Sequence, residues 1–264
     1  MQYVTQEPTV EVSRLRLWMR RYRRLLPFPL AAVVVIGLEP KAWDAKFLDL
    51  VTTGLGAAFC VLGQGLRLWA WGSNAGVERN GVRHRGPYAL MRHPLFSGNF
   101  LILLGCVVVF NNPWAYPLLL LPFAYLYHVI SDVDELQMVR DFGADYEKYR
   151  SKKLPRFLPA LHNLGTALHT TQPFRWTFAW RKEYRSCFAW LAGIGGLMLY
   201  KQALAQGYFD RWFWIILFAV SGCIGVAVTL RTKRINTARR RLQNLQHSDA
   251  ASARRESTAG PSLR

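Results

Sequence analysis

Arg92-His93-Pro94-Leu95-Phe96 on one side and Asp134-Glu135 on the other are the residues of this chain whose types could do chemistry together. A cation and an imidazole can hold a carboxylate, while an acidic side chain accepts from an ammonium or a hydroxyl. The aromatics Tyr88 and Phe96 offer a ring face to a base or a cationic centre. Such a set suits a small zwitterionic cofactor. Two plainer readings stand beside it: a basic loop facing lipid headgroups, and an Arg92–Asp134 salt bridge tying two helix ends together. Ionisable groups kept beside membrane spans mark ligand or ion pathways, which is why the set matters. No His-Glu-x-x-His, Gly-x-Ser-x-Gly, paired-cysteine zinc spacing or phosphate-cradling glycine loop is present, so no metal site is expected.

The elements that position these groups are apolar runs at 25–38, 48–72, 99–111, 114–130, 186–206 and 212–230. With 264 residues, 51% hydrophobic content, ten tryptophans and a net charge of +18, the chain reads as a membrane protein. It does not read as a nucleic-acid binder, whose basic residues would not alternate with bilayer-length runs. Six Lys or Arg lie before residue 25, four in 73–98, ten in 132–185 and nine after 230, against three in 39–47, 111–114 and 205–211. That asymmetry is the positive-inside pattern and puts both termini and both long loops in the cytoplasm. The predicted fold is all-α and polytopic, with about six transmembrane helices, or five if the run at 25–38 is interfacial. The inner membrane of a bacterium is the expected location.

Five segments follow: a basic lead-in (1–24), a membrane core (25–160), a basic-aromatic interfacial stretch (161–185), two C-terminal spans (186–230) and a basic disordered tail (231–264). Asn111-Asn112-Pro113-Trp114 predicts a tight turn between two spans, because Asn tolerates unusual backbone angles and Pro cannot continue a helix. That hairpin returns the chain to the face holding Arg92. Residues 134–149 predict one helix, with Leu136, Val139, Phe142 and Tyr146 on its apolar face and Gly143 inside it for close packing. Pro155 and Pro159 bracket an extended segment, and the aromatics and cations of 174–182 predict an interface anchor. Glycines at 193–196 and 222–225 are expected to let helices pack closely. Cys60, Cys106, Cys187 and Cys223 read as buried small hydrophobes.

Gly86-Pro87-Tyr88 with Arg92-His93-Pro94-Leu95-Phe96-Ser97-Gly98 resembles the cofactor signature of the isoprenylcysteine carboxyl methyltransferase and phospholipid methyltransferase superfamily. Asn112-Pro113, Asp134-Glu135, Phe142-Gly143-Ala144-Asp145-Tyr146, Tyr149 and Arg156-Phe157-Leu158-Pro159 follow in the same order, so the resemblance covers roughly residues 73–160. It implies S-adenosylmethionine in a cytoplasm-facing membrane pocket, lined by Tyr88, His93, Pro94, Leu95 and Phe96. Asp134 would reach its polar end, with the backbone of 80–83, Val82 and Arg83 included, alongside. Arg92 and Glu135 are the candidate catalytic residues, Glu135 as the base if the acceptor needs one, with His128 behind it, and a structural role for Glu135 or His128 is the alternative. Arg156, Tyr146 and Tyr149 are the implied substrate contacts, and Arg150, Lys152 and Lys153 could draw an anionic headgroup or be ordinary positive-inside charge.

Two departures concern the cofactor: Phe96 replaces the usual Tyr and Asp134 the usual Glu. A third concerns the substrate, since Ile130 stands where prenylcysteine-methylating members carry arginine. The expected activity is therefore methyl transfer to an O or N acceptor on a lipid, a lipid-linked headgroup or another small molecule of the lipid phase. The alternatives are prenylcysteine carboxyl methylation and a non-enzymatic six-span transporter or scaffold that keeps the fold. No nucleic acid partner is expected, and the oligomeric state stays open.

Overall fold

The computed structural model describes residues 13–23, 26–41, 46–77, 81–169 and 173–206, with the single positions 216 and 220. The chain divides into two units, Met1–Arg211 and Trp212–Arg264. In the second only Ile216 and Val220 are described, both exposed, so the predicted last span, the tail, Gly222–225 and Cys223 lie outside the described residues.

Among the described residues the regular elements are all helical. They are α1 (Arg14–Tyr22), α2 (Pro27–Gly37), α3 (Lys46–Gly72), α4 (Pro94–Phe110), α5 (Ala115–Phe142), α6 (Ala144–Arg150), α7 (Leu164–Leu168) and α8 (Trp176–Gln206), with 3-10 turns at Gly86–Ala89 and Leu161–Asn163. Among the described residues two stretches, Phe47–Gly72 and Ala115–Phe142, are long and apolar enough to cross a membrane. The all-helical expectation holds among the described residues, and two of the expected runs take a form of their own. The run at 25–38 forms an 11-residue helix, which at 1.5 Å per residue reaches about 16 Å against a hydrocarbon core of about 30 Å. The run at 186–206 is the later part of α8, a helix that starts in the basic-aromatic stretch and carries buried Glu183 and Lys201.

The centre of the first unit is α3, which uses one face for α4 and another for α8. Against α4 it runs antiparallel, with Gly56 opposite Gly105 and Gly63 opposite Gly98. A methyl added at Gly56 would lie 2.6 Å from the Gly105 carbonyl oxygen, and one added at Gly63 would lie 2.5 Å from that of Gly98. Between them the Cys60 thiol donates to the Ile102 carbonyl at 3.3 Å. Small residues let two backbones approach in a medium that provides no hydrophobic drive between helices. The predicted glycine contacts fall elsewhere: nothing lies within 4 Å of a methyl added at Gly193 or Gly195. Hydropathy marks a glycine's helix but not the face it occupies.

Against α8, α3 is again antiparallel, and ion pairs bind the two helices. Asp49 accepts from Lys201 at 2.6 Å near one end, and Arg67 pairs with Glu183 at 2.8 Å near the other. The rise from Asp49 to Arg67 is about 27 Å, close to the roughly 30 Å hydrocarbon thickness. The pairs therefore sit where a spanning α3 would meet the two headgroup layers.

The α4–α5 hairpin forms at the predicted turn. Asn111 caps α4 in the left-handed region (φ 54°), and the Asn112 side chain accepts from the Trp114 N–H at 3.0 Å. The same two asparagines donate to the Lys41 and Glu39 carbonyls at 3.2 and 2.8 Å, which stitches the segment after α2 to the turn. From there α5 carries no charged side chain until Asp132. The predicted single helix 134–149 is two helices. Gly143 takes φ 48° with nothing near an added methyl, so it serves to break the helix rather than to pack closely.

Candidate functional site

The residues singled out in the sequence converge where the foot of α5 meets two non-helical segments. Residues 90–93 and 155–160 lie side by side. The Arg92 N–H donates to the Pro155 carbonyl and the His93 N–H to that of Arg156, both at 2.9 Å, and the Ala160 N–H donates to Leu90 at 3.0 Å. Proline at 94 then starts α4, a position where its missing N–H costs nothing. Gly86 precedes this strip at φ 58°, and a methyl there would lie 2.6 Å from the Ser73 hydroxyl, so both conformation and space call for glycine.

Glu135, 4% exposed, is the centre of the cluster. It accepts from Arg92 Nη1 at 2.8 Å and pairs with His93 Nε2 at 3.0 Å and Arg156 Nε at 3.4 Å. Arg92 also donates through Nε to the Leu154 carbonyl at 3.1 Å, and Arg156 reaches Asp132 at 2.7 Å. A buried carboxylate is stable only with such partners. Arg92 thus pairs with Glu135, which replaces the Arg92–Asp134 bridge considered from sequence. Neighbouring helical positions point about 100° apart, so the two acidic side chains enter different surroundings.

Asp134 turns to α1. Its oxygens accept from Arg20 Nε at 2.5 Å and Arg23 Nη1 at 3.0 Å. Beneath it His93 stacks on Phe96 (5.4 Å, 9°), and Phe96 stacks on Tyr127 (4.7 Å, 7°). Ile130 is fully buried in the same cluster with Phe123 and Leu126, and Met19 of α1 packs against it. The Arg23 guanidinium lies 6.0 Å from the Phe96 ring. Within the lead-in predicted from sequence, Arg14–Tyr22 is therefore a helix seated over the aromatic stack. Both oxygens of Asp134 are thus paired with arginines of the α1 segment.

Tyr88 and Tyr149 meet on the other side of the strip, where the Tyr149 hydroxyl donates to the Tyr88 carbonyl at 2.7 Å. Tyr146, Tyr149, Leu154 and Ala160 form a small core against which Val82 packs. Burial pushes the Tyr149 phenol far above its ordinary range and that of Tyr146 up to about 12. Burial also raises the Tyr88 phenol, opposed by Arg83, whose Nη1 lies 3.4 Å from its hydroxyl. Arg83 in turn rests 4.6 Å from the Trp71 ring. Pro94 is buried and Leu95 half-buried at the start of α4. His128, Arg150, Lys152 and Lys153 are exposed. Residue 80 lies outside the described residues.

A second polar cluster escaped the sequence reading. Glu183, 1% exposed, accepts Arg67 through two parallel bonds of 2.8 Å and Trp71 Nε1 at 2.7 Å. Gln64 joins at 3.3 Å and itself accepts from Trp190 at 3.1 Å, while Arg67 also bonds Asn99. An arginine inside the apolar run 48–72 was the available signal, since a cation at that depth calls for a carboxylate partner. Among the described residues no group of three or more His, Cys, Asp or Glu could hold a metal ion.

No family model matches this chain, and no solved structure matches it. It is similar to two curated proteins. One is the cobalt-zinc-cadmium resistance protein CzcN of Cupriavidus metallidurans, 28% identical over 143 residues, which cover 53% of this chain and 62% of that protein. The other is the nickel-cobalt-cadmium resistance protein NccN of Alcaligenes xylosoxydans xylosoxydans, 27% identical over 154 residues, covering 56% and 70%. The match thus spans less than two thirds of the first relative's length. Both names point to metal resistance and correct the expectation of methyl transfer to a lipid-phase acceptor. The motifs behind that expectation build the Glu135 cluster and its strip, and a short motif by itself does not carry a chemistry.

Proposed function

We propose that this chain is an integral membrane component of a resistance system for divalent transition metals, with α1 and the Glu135 cluster on the cytoplasmic side of a bacterial inner membrane. The observation that carries this reading is the similarity to two proteins whose names both specify cobalt and cadmium resistance. The excess of cations in 1–24, 73–98 and 132–185 supports the orientation.

Between the transporter and scaffold alternatives, the paired carboxylates favour a scaffold. Asp49, Asp132, Asp134, Glu135 and Glu183 are each held by a lysine or arginine. A fixed cation competes with a metal ion for the same oxygens. Two helix seams, one of glycines and one of ion pairs, hold α3, α4 and α8 in one register, which suits a part that positions others.

The test is deletion of the chain in its own host, followed by restoration with the full chain. Deletion is expected to lower the concentrations of zinc, cobalt, cadmium or nickel that halve growth, and restoration to return them. Unchanged tolerance to all four metals overturns the proposal. Metal uptake by vesicles containing the purified chain alone would overturn the scaffold in favour of the transporter.

A further inference from the structure

A cavity of about 280 Å³ lies beside the Glu135 cluster, between the segment before Tyr88, the turn after α6 and α7. Its polar lining is His84, Arg85, Lys152, Asn163, Thr166 and His169. Tyr149, Leu154 and Ala89 complete the wall, and no acidic side chain is among the lining residues. Two permanent cations and two imidazoles thus share one open cavity without a carboxylate, Arg85 and Asn163 half-buried and His84, Lys152, Thr166 and His169 exposed. Among the described residues the side chains of Arg85, Lys152, Asn163, Thr166 and His169 make no hydrogen bond or ion pair.

The backbone that carries these groups is fixed. Arg85 is clamped through its own peptide, the N–H donating to the Asn74 side chain at 3.3 Å and the carbonyl accepting from it at 3.0 Å. Lys152 follows the last turn of α6 and precedes Lys153, whose φ of 52° turns the chain sharply. The Asn163 N–H donates to the Ala160 carbonyl, and Ala160 is itself bonded to Leu90, so α7 is tied to the strip. The Tyr149–Tyr88 bond joins the first two walls. His84 Nδ1 faces the Val82 carbonyl at 3.0 Å, which assigns that nitrogen the proton and leaves Nε2 on the other edge of the ring.

From this lining we infer that the cavity is an anion site for a phosphate group, borne by a lipid headgroup or free in solution. Arginine offers a planar fork of donors that matches phosphate oxygens, lysine adds a mobile point charge, and the amide and hydroxyl add neutral donors. The volume lies just below the range of about 300–1,000 Å³ usual for small-ligand pockets, enough for a phosphate with a short substituent. Two histidines would also suit a divalent cation. Arg85 and Lys152 at the same cavity repel one, and an anion satisfies both cations together, with Asn163 and Thr166 as neutral donors.

The test uses the full chain purified in detergent and calorimetric titration at constant ionic strength. The probes are inorganic phosphate, dihexanoyl phosphatidic acid and zinc chloride. Parent protein is compared with Arg85→Gln/Lys152→Gln and with Arg140→Gln/Lys148→Gln, a pair of exposed cations elsewhere that removes the same charge. Each lost charged donor is expected to weaken binding about tenfold, so the first pair should weaken it about 100-fold and the second by less than about twofold. Binding of inorganic phosphate with that pattern assigns a free phosphate, and binding of the phosphatidic acid alone assigns a headgroup. Binding of neither, or equal weakening by both pairs, overturns the inference. Zinc binding that is lost in His84→Gln/His169→Gln, without phosphate binding, overturns it in favour of a metal site. If the first pair fails to fold, Lys152→Gln alone, at an exposed side chain, carries the comparison with an expected loss of about tenfold.

Discussion

The glycine seam between α3 and α4 makes a prediction whose control is built into the same helix. Gly56 and Gly63 face α4, and a methyl added at either would sit 2.6 or 2.5 Å from a backbone oxygen of Gly105 or Gly98. Backbone cannot rotate aside as a side chain can, so the helices must part. Gly54 and Gly65 lie on α3 with nothing within 4 Å of an added methyl. All four Gly→Ala changes gain helix propensity of about 1 kcal/mol, and that gain cancels in the comparison. What is left is the overpacking at the seam, about 1–3 kcal/mol per site. The two seam sites are about 10 Å apart along the helix, so their costs should add to within about 0.5 kcal/mol. The assay is unfolding in mixed micelles of mild detergent and dodecyl sulfate, followed by circular dichroism. Gly54→Ala and Gly65→Ala should unfold at higher dodecyl sulfate than the parent, and the seam variants lower than those controls. Four variants of equal stability would refute the close approach of α3 and α4.

Three further outcomes follow from the ion pairs and the buried phenols. Glu183→Leu leaves Arg67 charged and buried, and should cost about 3–5 kcal/mol, while Arg67→Met/Glu183→Leu should recover most of that in the same unfolding assay. A double variant no more stable than the single one would show that the pair does not act as a unit. Asp134→Asn releases Arg20 and Arg23, both about one third exposed, so the loss should be about 1 kcal/mol or less per pair. Hydrogen exchange should quicken in α1 and stay slow in α4, and unchanged exchange in α1 would count against its seating on Asp134. The Tyr146 phenol, raised to about 12 from 10.0, contributes stability that is whole below pH 10 and lost as pH rises toward 12, because the unfolded chain ionises first. Tyr146→Phe should therefore move the midpoint of alkaline unfolding upward, and an unmoved midpoint contradicts the burial of that ring.

The parts of the fold legible in the sequence are those that local chemistry dictates. Asn111-Asn112-Pro113 could be read as a turn because its backbone angles and missing donor act within four residues. The apolar runs of α3 and α5 could be read because hydropathy accumulates along one stretch. The meeting of Arg92 with the acidic pair followed from the hairpin, which leaves few places for the chain to return. Gly143 misled, since a glycine that breaks a helix and one that packs against a neighbour look the same without a backbone angle.

By itself the sequence determined that this chain is strongly basic and rich in apolar runs, two of them in helices long enough to cross a bilayer, and that charged groups gather beside those runs. Only the tertiary structure decided who pairs with whom. Arg92 took Glu135 while Asp134 went to arginines 111 and 114 positions away, and Arg67 found Glu183 across 116 positions. The reason is electrostatic. A charge removed from water must meet its opposite, and the sequence records that demand at each residue, but the partner depends on which helix faces come together when α1, α3, α5 and α8 pack.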